Sequence, residues 1–134
     1  MLRFLDTDVC VAFLRGSSIS VQDQLSRYPR STIRLPAIVV AELFYGLQKS
    51  VGPRRHATAL RQFIGSFQIA EFTQNAAAHY GRIRAMLESK GQPIGANDYL
   101  VAAIVMAEKG VLVTGNVKEF KKVPNLKLEN WLTT

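Results

Sequence analysis

The sequence predicts an α/β fold in which a mainly parallel sheet is covered by helices on both faces. Three observations carry this prediction. Short strand-like runs at residues 2–6, 32–35, 68–72, 111–114 and 126–128 alternate with segments of helical spacing, and such alternation builds parallel sheets through crossover helices. Gly16, Gly91 and Lys109-Gly110 stand at helix ends and Pro36 at a helix start, where glycine's left-handed backbone and proline's missing N–H are accommodated. No repeat, low-complexity tract or Gly/Pro/Ser-rich linker divides the 134 residues, so residues 1–134 are expected to form a single domain.

Residues 2–6 make the first strand, an apolar run closed by Asp6. A helix follows over residues 8–15 and stops at Gly16. Ser20 is expected to cap a second helix that ends near Tyr28-Pro29. The strand at 32–35 leads into Pro36 and a helix that runs to about Lys49; that helix is apolar on nearly every side, so it should be largely buried. Gly52-Pro53 opens a basic helix over roughly residues 54–66, and residues 68–72 form a short strand. Thr73 caps the next helix, in which Ala76, Ala77, Tyr80, Ile83 and Leu87 recur at helical spacing. Gly95-Ala96-Asn97-Asp98 introduces an apolar helix ending at Lys109-Gly110. Residues 111–114 form a buried strand, residues 116–120 one helical turn and residues 126–128 an edge strand, with Trp131 packing the C-terminal segment down.

Composition bounds the function. Hydrophobic residues make up 48% and charged residues 20%, as in a folded globular protein. Lys and Arg number 17 against 10 Asp and Glu, a net charge of +7 that favours polyanions, nucleic acid first. The single cysteine, Cys10, excludes an internal disulfide and a cysteine–zinc cluster, reads as a small core residue, and fits a reducing, cytoplasmic compartment. The N-terminus has no signal-peptide pattern, and the longest apolar run, residues 99–107, is too short to span a bilayer. No membrane partner is expected.

Four acids stand against apolar sequence. Asp6 closes the first strand, Glu42 is the only charge between Ala37 and Leu47, Asp98 directly precedes the run 99–107, and Glu119 follows the run 111–114. A carboxylate in such a place loses solvation unless it is hydrogen-bonded, paired or bound to a metal. Ligands of open parallel sheets bind beyond the carboxyl ends of the strands, and this rule brings Asp6, Thr114 and Asn116 to one edge. Each acid also has a structural reading. Asp6 and Asp8 can cap a helix, the preferred reading for Asp8 but not for Asp6. Asp98 suits a first helical turn, Glu42 could mark a solvated stripe, and Glu119 could pair with Lys118 or Lys122. Gathered together, carboxylates suit Mg²⁺ or Mn²⁺. Arg54, Arg55, Arg61, Arg82, Arg84, Lys118, Lys121 and Lys122 are the candidates for RNA phosphate contact. His56 and His79 form no metal-spaced pair, and neither a Gly-rich phosphate loop nor a nucleophile elbow is present.

Leu5-Asp6-Thr7-Asp8, Ala41-Glu42-Leu43-Phe44-Tyr45-Gly46, Pro93-Ile94-Gly95-Ala96-Asn97-Asp98 and Leu112-Val113-Thr114-Gly115-Asn116-Val117-Lys118-Glu119-Phe120 occur in that order, followed by Val123-Pro124 and Glu129-Asn130-Trp131-Leu132. In order and spacing the chain resembles a PIN-domain ribonuclease of the VapC toxin type, over essentially its whole length. The resemblance implies a three-layer α/β/α PIN fold and a Mg²⁺- or Mn²⁺-dependent endoribonuclease. It also implies a toxin restrained by a small VapB-type antitoxin, and a homodimer. The family's metal-holding acids fall on Asp6, Glu42 and Asp98, and its hydroxyl positions near the site on Thr7 and Thr114. A fourth acid is common two residues after the strand-end threonine. Asn116 stands there, and Glu119 is the acid that could supply the missing charge. Enteric relatives of this type resemble enzymes that cut initiator tRNA in the anticodon loop, which makes tRNA the substrate the resemblance suggests.

Two other readings compete. An RNA-binding or regulatory domain with a dead site would bind RNA without metal-dependent cleavage. Asp6-Thr7-Asp8-Val9 after an apolar strand also resembles the first motif of haloacid-dehalogenase-type phosphatases, with Asp6 as nucleophile. That motif set lacks its later acidic pair here and leaves Glu42 without a role.

Overall fold

The structure, a computed structural model, describes residues 1–50 and 52–133, the side chains of residues 53–55 excepted. The order of elements is β1 (Arg3–Leu5), α1 (Thr7–Arg15), α2 (Ile19–Ser26), β2 (Ile33–Pro36), α3 (Ala37–Lys49), α4 (Pro53–Gly65), β3 (Gln68–Ala70), α5 (Gln74–Ser89), α6 (Ala96–Ala107), β4 (Val111–Val113), α7 (Val117–Phe120) and β5 (Lys127–Glu129). The strands form one parallel sheet in the order β3-β2-β1-β4-β5 between two layers of helices. The chain winds outward from β1 through β2 to β3, then returns to place β4 on the other side of β1. β1 and β4 therefore flank a topological switch point, where the carboxyl ends of the strands open a crevice.

The elements form where their residues require them. Phe4, Leu5, Ile33, Leu35, Leu112 and Val113 are fully buried, as befits parallel strands covered on both faces. Each such side chain stabilises the fold by about 1.5–3 kcal/mol through burial. Helix α6 buries Tyr99 and the unbroken run Val101–Val105, which explains its uniformly apolar sequence. Gly16 ends α1 in the left-handed conformation (φ 64°), and Thr73 caps α5 by accepting from the Ala76 N–H at 3.1 Å.

Four expectations need correction. The cap of α2 is Ser18, whose extended backbone lets its hydroxyl accept from the Val21 N–H at 3.1 Å; Ser20 lies inside the first turn. α2 also stops at Ser26, ahead of a single 3-10 turn at Arg30–Thr32. Helix α3 is not largely buried: Val39, Leu43 and Leu47 face the core, whereas Tyr45 is 65% exposed. Finally, the left-handed residue after α6 is Lys109 (φ 56°), not Gly110. Gly110 is needed for space, because a Cβ there would collide with the Phe4 ring and stand 2.9 Å from the Leu2 carbonyl oxygen.

The C-terminal segment is tied back across the sheet. Arg3 donates through Nε and Nη2 to both oxygens of Glu129 (2.9 and 3.0 Å), and its guanidinium lies 4.0 Å from the centre of the Tyr28 ring. Tyr28 stacks on Trp131, whose indole N–H donates to Glu129 at 3.1 Å. The Arg3 hydrogen bond holds the Glu129 carboxyl below its usual range.

Gly110→Ala should destabilise the protein by about 1–3 kcal/mol through overpacking. Gly91→Ala, with open space but a φ of 66°, should cost only about 1 kcal/mol from backbone strain. Urea denaturation of the two variants separates the effects, and the order of their midpoints is the result to check.

Candidate active site

Asp6 follows β1 directly and is the one described carboxylate that is largely buried, at 8% exposure. It occupies the N-cap of α1: Oδ1 accepts from the Thr7 N–H at 2.9 Å. Oδ2 accepts from the Thr114 hydroxyl at 2.7 Å. Thr114 is fully buried at the end of β4, and its oxygen in turn accepts from the Asn116 N–H at 3.0 Å. Burial pushes the Asp6 carboxyl up to about 6, against these two hydrogen bonds, and the charges of Asp8 and Asp98 push the same way.

Glu42 enters from α3, the helix that leaves the end of β2. Its Oε1 accepts from the Thr7 hydroxyl at 2.8 Å, which ties α3 to the start of α1. Asp98 lies half-buried in the first turn of α6, with its Oδ2 only 3.3 Å from where a Cβ on Gly95 would sit. Its carboxyl is raised by burial, then by the charges of Glu42, Glu119 and Asp8. The fold thus brings Asp6, Asp8, Glu42, Asp98 and Glu119 into one acidic field beyond β1 and β4.

Asp8 does not cap α1; Asp6 does. The Asp8 oxygens accept from the N–H groups of Val9 (2.8 Å) and Gly115 (2.9 Å), and burial raises its carboxyl. Glu119 stands between two roles: its charge reaches Asp98, and it also pairs with Lys122 at 3.1 Å. Asn116 is the N-cap residue of α7, three positions before Glu119, and makes no side-chain cap bond.

The basic candidates fall into separate groups. Lys118, Lys121 and Lys122 flank Glu119 in sequence on and just after α7. Arg61 on α4 lies over the Phe44 ring at 5.6 Å. On α5, Arg82 reaches His79 at 2.7 Å and Arg84 is bound by Glu88 and Tyr80. The side chains of Arg54 and Arg55 lie outside the described residues. Cys10 is buried, with its thiol pushed up by that burial.

Among the described residues, no three of His, Cys, Asp and Glu stand close enough to form a ready-made metal cage. The donor set nevertheless fits a hard divalent ion. Mg²⁺ keeps several waters and is held by one or two carboxylates plus substrate phosphates, not by an all-protein cage. The oxygens offered by Asp6, Glu42 and Asp98 suit that mode. Burial raises the Asp6 and Asp98 carboxyls, neighbouring carboxylates push the same way, and a cation would offset both effects.

Beside Glu42 an apolar groove of about 320 Å³ runs between α1, α3 and α4. Val11, Leu14, Leu43, Leu47 and Leu60 line it, with Arg15 and His56 also at its walls. No described helix is long and apolar enough to cross a membrane.

Residues 3–126 match the PIN domain family model. Ribonuclease VapC2 of Rickettsia felis is 40% identical over 98% of both chains. The tRNA(fMet)-specific endonuclease VapC of Salmonella typhimurium is 32% identical over 98% of this chain and 99% of its own. Among solved structures, VapBC2 from Rickettsia felis, bound to a DNA fragment from its promoter, superposes with a TM-score of 0.92 at 39% identity, covering 98% of this chain and 99% of that one.

The raised Asp6 value makes a stability prediction for metal-free protein. The folded state takes up a proton near pH 6 that the unfolded chain takes up only near its ordinary 3.8. Stability from this group is therefore full below the unfolded value and is lost as pH rises through about 6, up to roughly 3 kcal/mol. With a chelator present, Asp6→Asn should melt above the parent at about pH 7.5, and the gap should close as pH falls below about 5. Equal melting curves at both pH values would contradict the burial cost.

Proposed function

The chain belongs to the PIN-domain family, close to its VapC-type toxins, and from that premise we propose that it is a divalent-metal-dependent endoribonuclease, the toxin of a toxin–antitoxin pair, that hydrolyses phosphodiester bonds in RNA. The observation that supports the reading is that Thr114 and Thr7 tie Asp6 and Glu42, from two different elements, to the carboxyl ends of β4 and β1 at the switch point of the sheet, with Asp98 near enough for the charge of Glu42 to raise its carboxyl after burial has done so. The whole chain would act as one PIN domain.

Asp6, Glu42 and Asp98 would hold Mg²⁺ or Mn²⁺. When bound, such an ion supplies charge neutralisation at phosphoryl oxygens and a more acidic water. The chain's own residues do the rest. Thr114 fixes one Asp6 oxygen and Thr7 fixes one Glu42 oxygen, so the carboxylates are held in place before substrate arrives. Lys118, Lys121 and Lys122 bring positive charge to the rim of an acidic site and would grip flanking phosphates. Glu119 is a secondary member of the site, since Lys122 already pairs with it. The named relative from Salmonella typhimurium makes tRNA the first substrate to test, initiator tRNA in particular.

The partner of this reading is a small VapB-type antitoxin, as in the VapBC complex that this chain resembles. The apolar groove beside Glu42 suits an apolar segment of that partner, which would lie across the entrance to the site. A homodimer completes the reading, with light scattering as its test. The proposed site of action is the cytoplasm.

Asp98→Asn, Asp6→Asn and Glu42→Gln should each lower RNA cleavage by more than about 100-fold, the upper range for loss of a group that merely supports a metal ligand. Each variant should keep its fold. Glu119→Gln should weaken activity less and raise the metal concentration needed. Cleavage of tRNA with and without Mg²⁺ tests the series, and an Asp98→Asn protein cutting at the parental rate would sink the assignment.

RNA affinity of an inactive variant should fall with salt by a slope of about −0.7 per phosphate contact. Replacing Lys118 or Lys121 by Ala should flatten that slope. A salt-independent affinity would count against phosphate contacts from α7.

A further inference from the structure

We propose that Asp8 is a positioning residue for the nuclease reaction: it straps the turn after β4 to α1 and so keeps the Thr114 hydroxyl on Asp6. The proposal rests on the nuclease reading above.

Both Asp8 oxygens are engaged by backbone. Oδ1 accepts from the Val9 N–H at 2.8 Å, one of the free donors at the start of α1. Oδ2 accepts from the Gly115 N–H at 2.9 Å, across 107 positions of sequence. Hydrogen bonds to an ionised carboxylate are about twice as strong as neutral ones, and this one ties α1 directly to the turn.

Gly115 shows how tightly the turn is held. A Cβ there would stand 2.8 Å from Asp8 Oδ2 and would also collide with the Leu132 side chain. The residue is glycine because the strap and the C-terminal segment leave no room. No left-handed backbone is involved, since Gly115 is not among the positive-φ glycines.

The strap matters for the residue next door. Thr114 is held through its N–H by the Glu129 carbonyl at 2.9 Å. Its side-chain oxygen accepts from the Asn116 N–H at 3.0 Å, so the hydroxyl hydrogen is directed to Asp6, 2.7 Å away. Both N–H groups that set this arrangement flank Gly115. Release of Gly115 would let Asn116 move, turn the hydroxyl and leave Asp6 with one fewer partner. Displacement of a reacting group by about 1 Å can cost on the order of 100-fold in rate without changing binding.

The test uses the full chain with Asp8→Ala and Asp8→Asn. Asn keeps one acceptor oxygen and must abandon one of the two N–H groups, so it covers the case in which Asp8→Ala does not fold. In metal-free protein, the Gly115 amide should exchange with solvent at least about tenfold faster in the variants, while the amides of β4 keep parental protection. With RNA and Mg²⁺, kcat should fall about 10- to 100-fold while KM stays within about twofold, and the loss should persist after correction for the folded fraction. Parental kcat, a loss confined to KM, a loss equal to the unfolded fraction, or unchanged Gly115 exchange would each overturn the proposal. A parent that cuts RNA alongside parental-like Asp8 variants overturns the strap alone. A parent that cuts no RNA with Mg²⁺ or Mn²⁺ overturns the nuclease reading and the strap together.

Discussion

A buried carboxylate at the end of the central strand sets the terms for everything around it. Asp6 sits where β1 stops and α1 begins, with 8% of its surface exposed. Such a group is tolerated only when its oxygens are occupied. The fold meets that demand from two directions: the first N–H of α1 on one oxygen and the end of β4 on the other. Because β4 lies beside β1 only through the return of the chain after α6, the pairing of these two strands is inseparable from the chemistry at their ends. The remaining acids then arrive on helices that leave the same edge of the sheet.

Much of this was legible in the sequence because local pattern and tertiary outcome agree. The run 2–6 and the run 111–114 are short, apolar and capped by polar residues, which describes a strand buried on both faces, and α6 is apolar all round because it is buried nearly all round. Asp6, Glu42 and Asp98 stood out because each is a charge set into such sequence. What escaped depends on contacts that no local window contains. Gly110 reads as a helix stop, but its need comes from the ring of Phe4, more than a hundred residues away. Asp8 reads as a cap because Asp is common there; its partner, Gly115, is just as distant.

Two misreadings have a different origin. Ser17, Ser18 and Ser20 are all competent caps, and only the backbone decides which of them lies extended ahead of Ile19. Helix α3 reads as buried because a hydrophobic run looks the same whether it faces a core or awaits a partner. Its outward Tyr45 is among the most exposed large apolar residues described, and surface of this kind marks association. The sequence signal was real; its assignment to the interior was the error. Glu119 shows the converse limit, since its pairing with Lys122 and its influence on Asp98 coexist, and spacing alone cannot rank them.

The clasp of Arg3, Tyr28, Glu129 and Trp131 has a consequence for the order of events during synthesis. Residues 127–132 supply β5, the carbonyl that holds Thr114, and the side chain that backs Gly115. They emerge from the ribosome after every acid of the site has already been made. A growing chain can therefore carry Asp6, Glu42 and Asp98 in the open while the turn beside them still lacks its outer support. In order of synthesis, the turn beside the acids therefore gains the Glu129 carbonyl and the Leu132 side chain only once β5 and the segment after it are made.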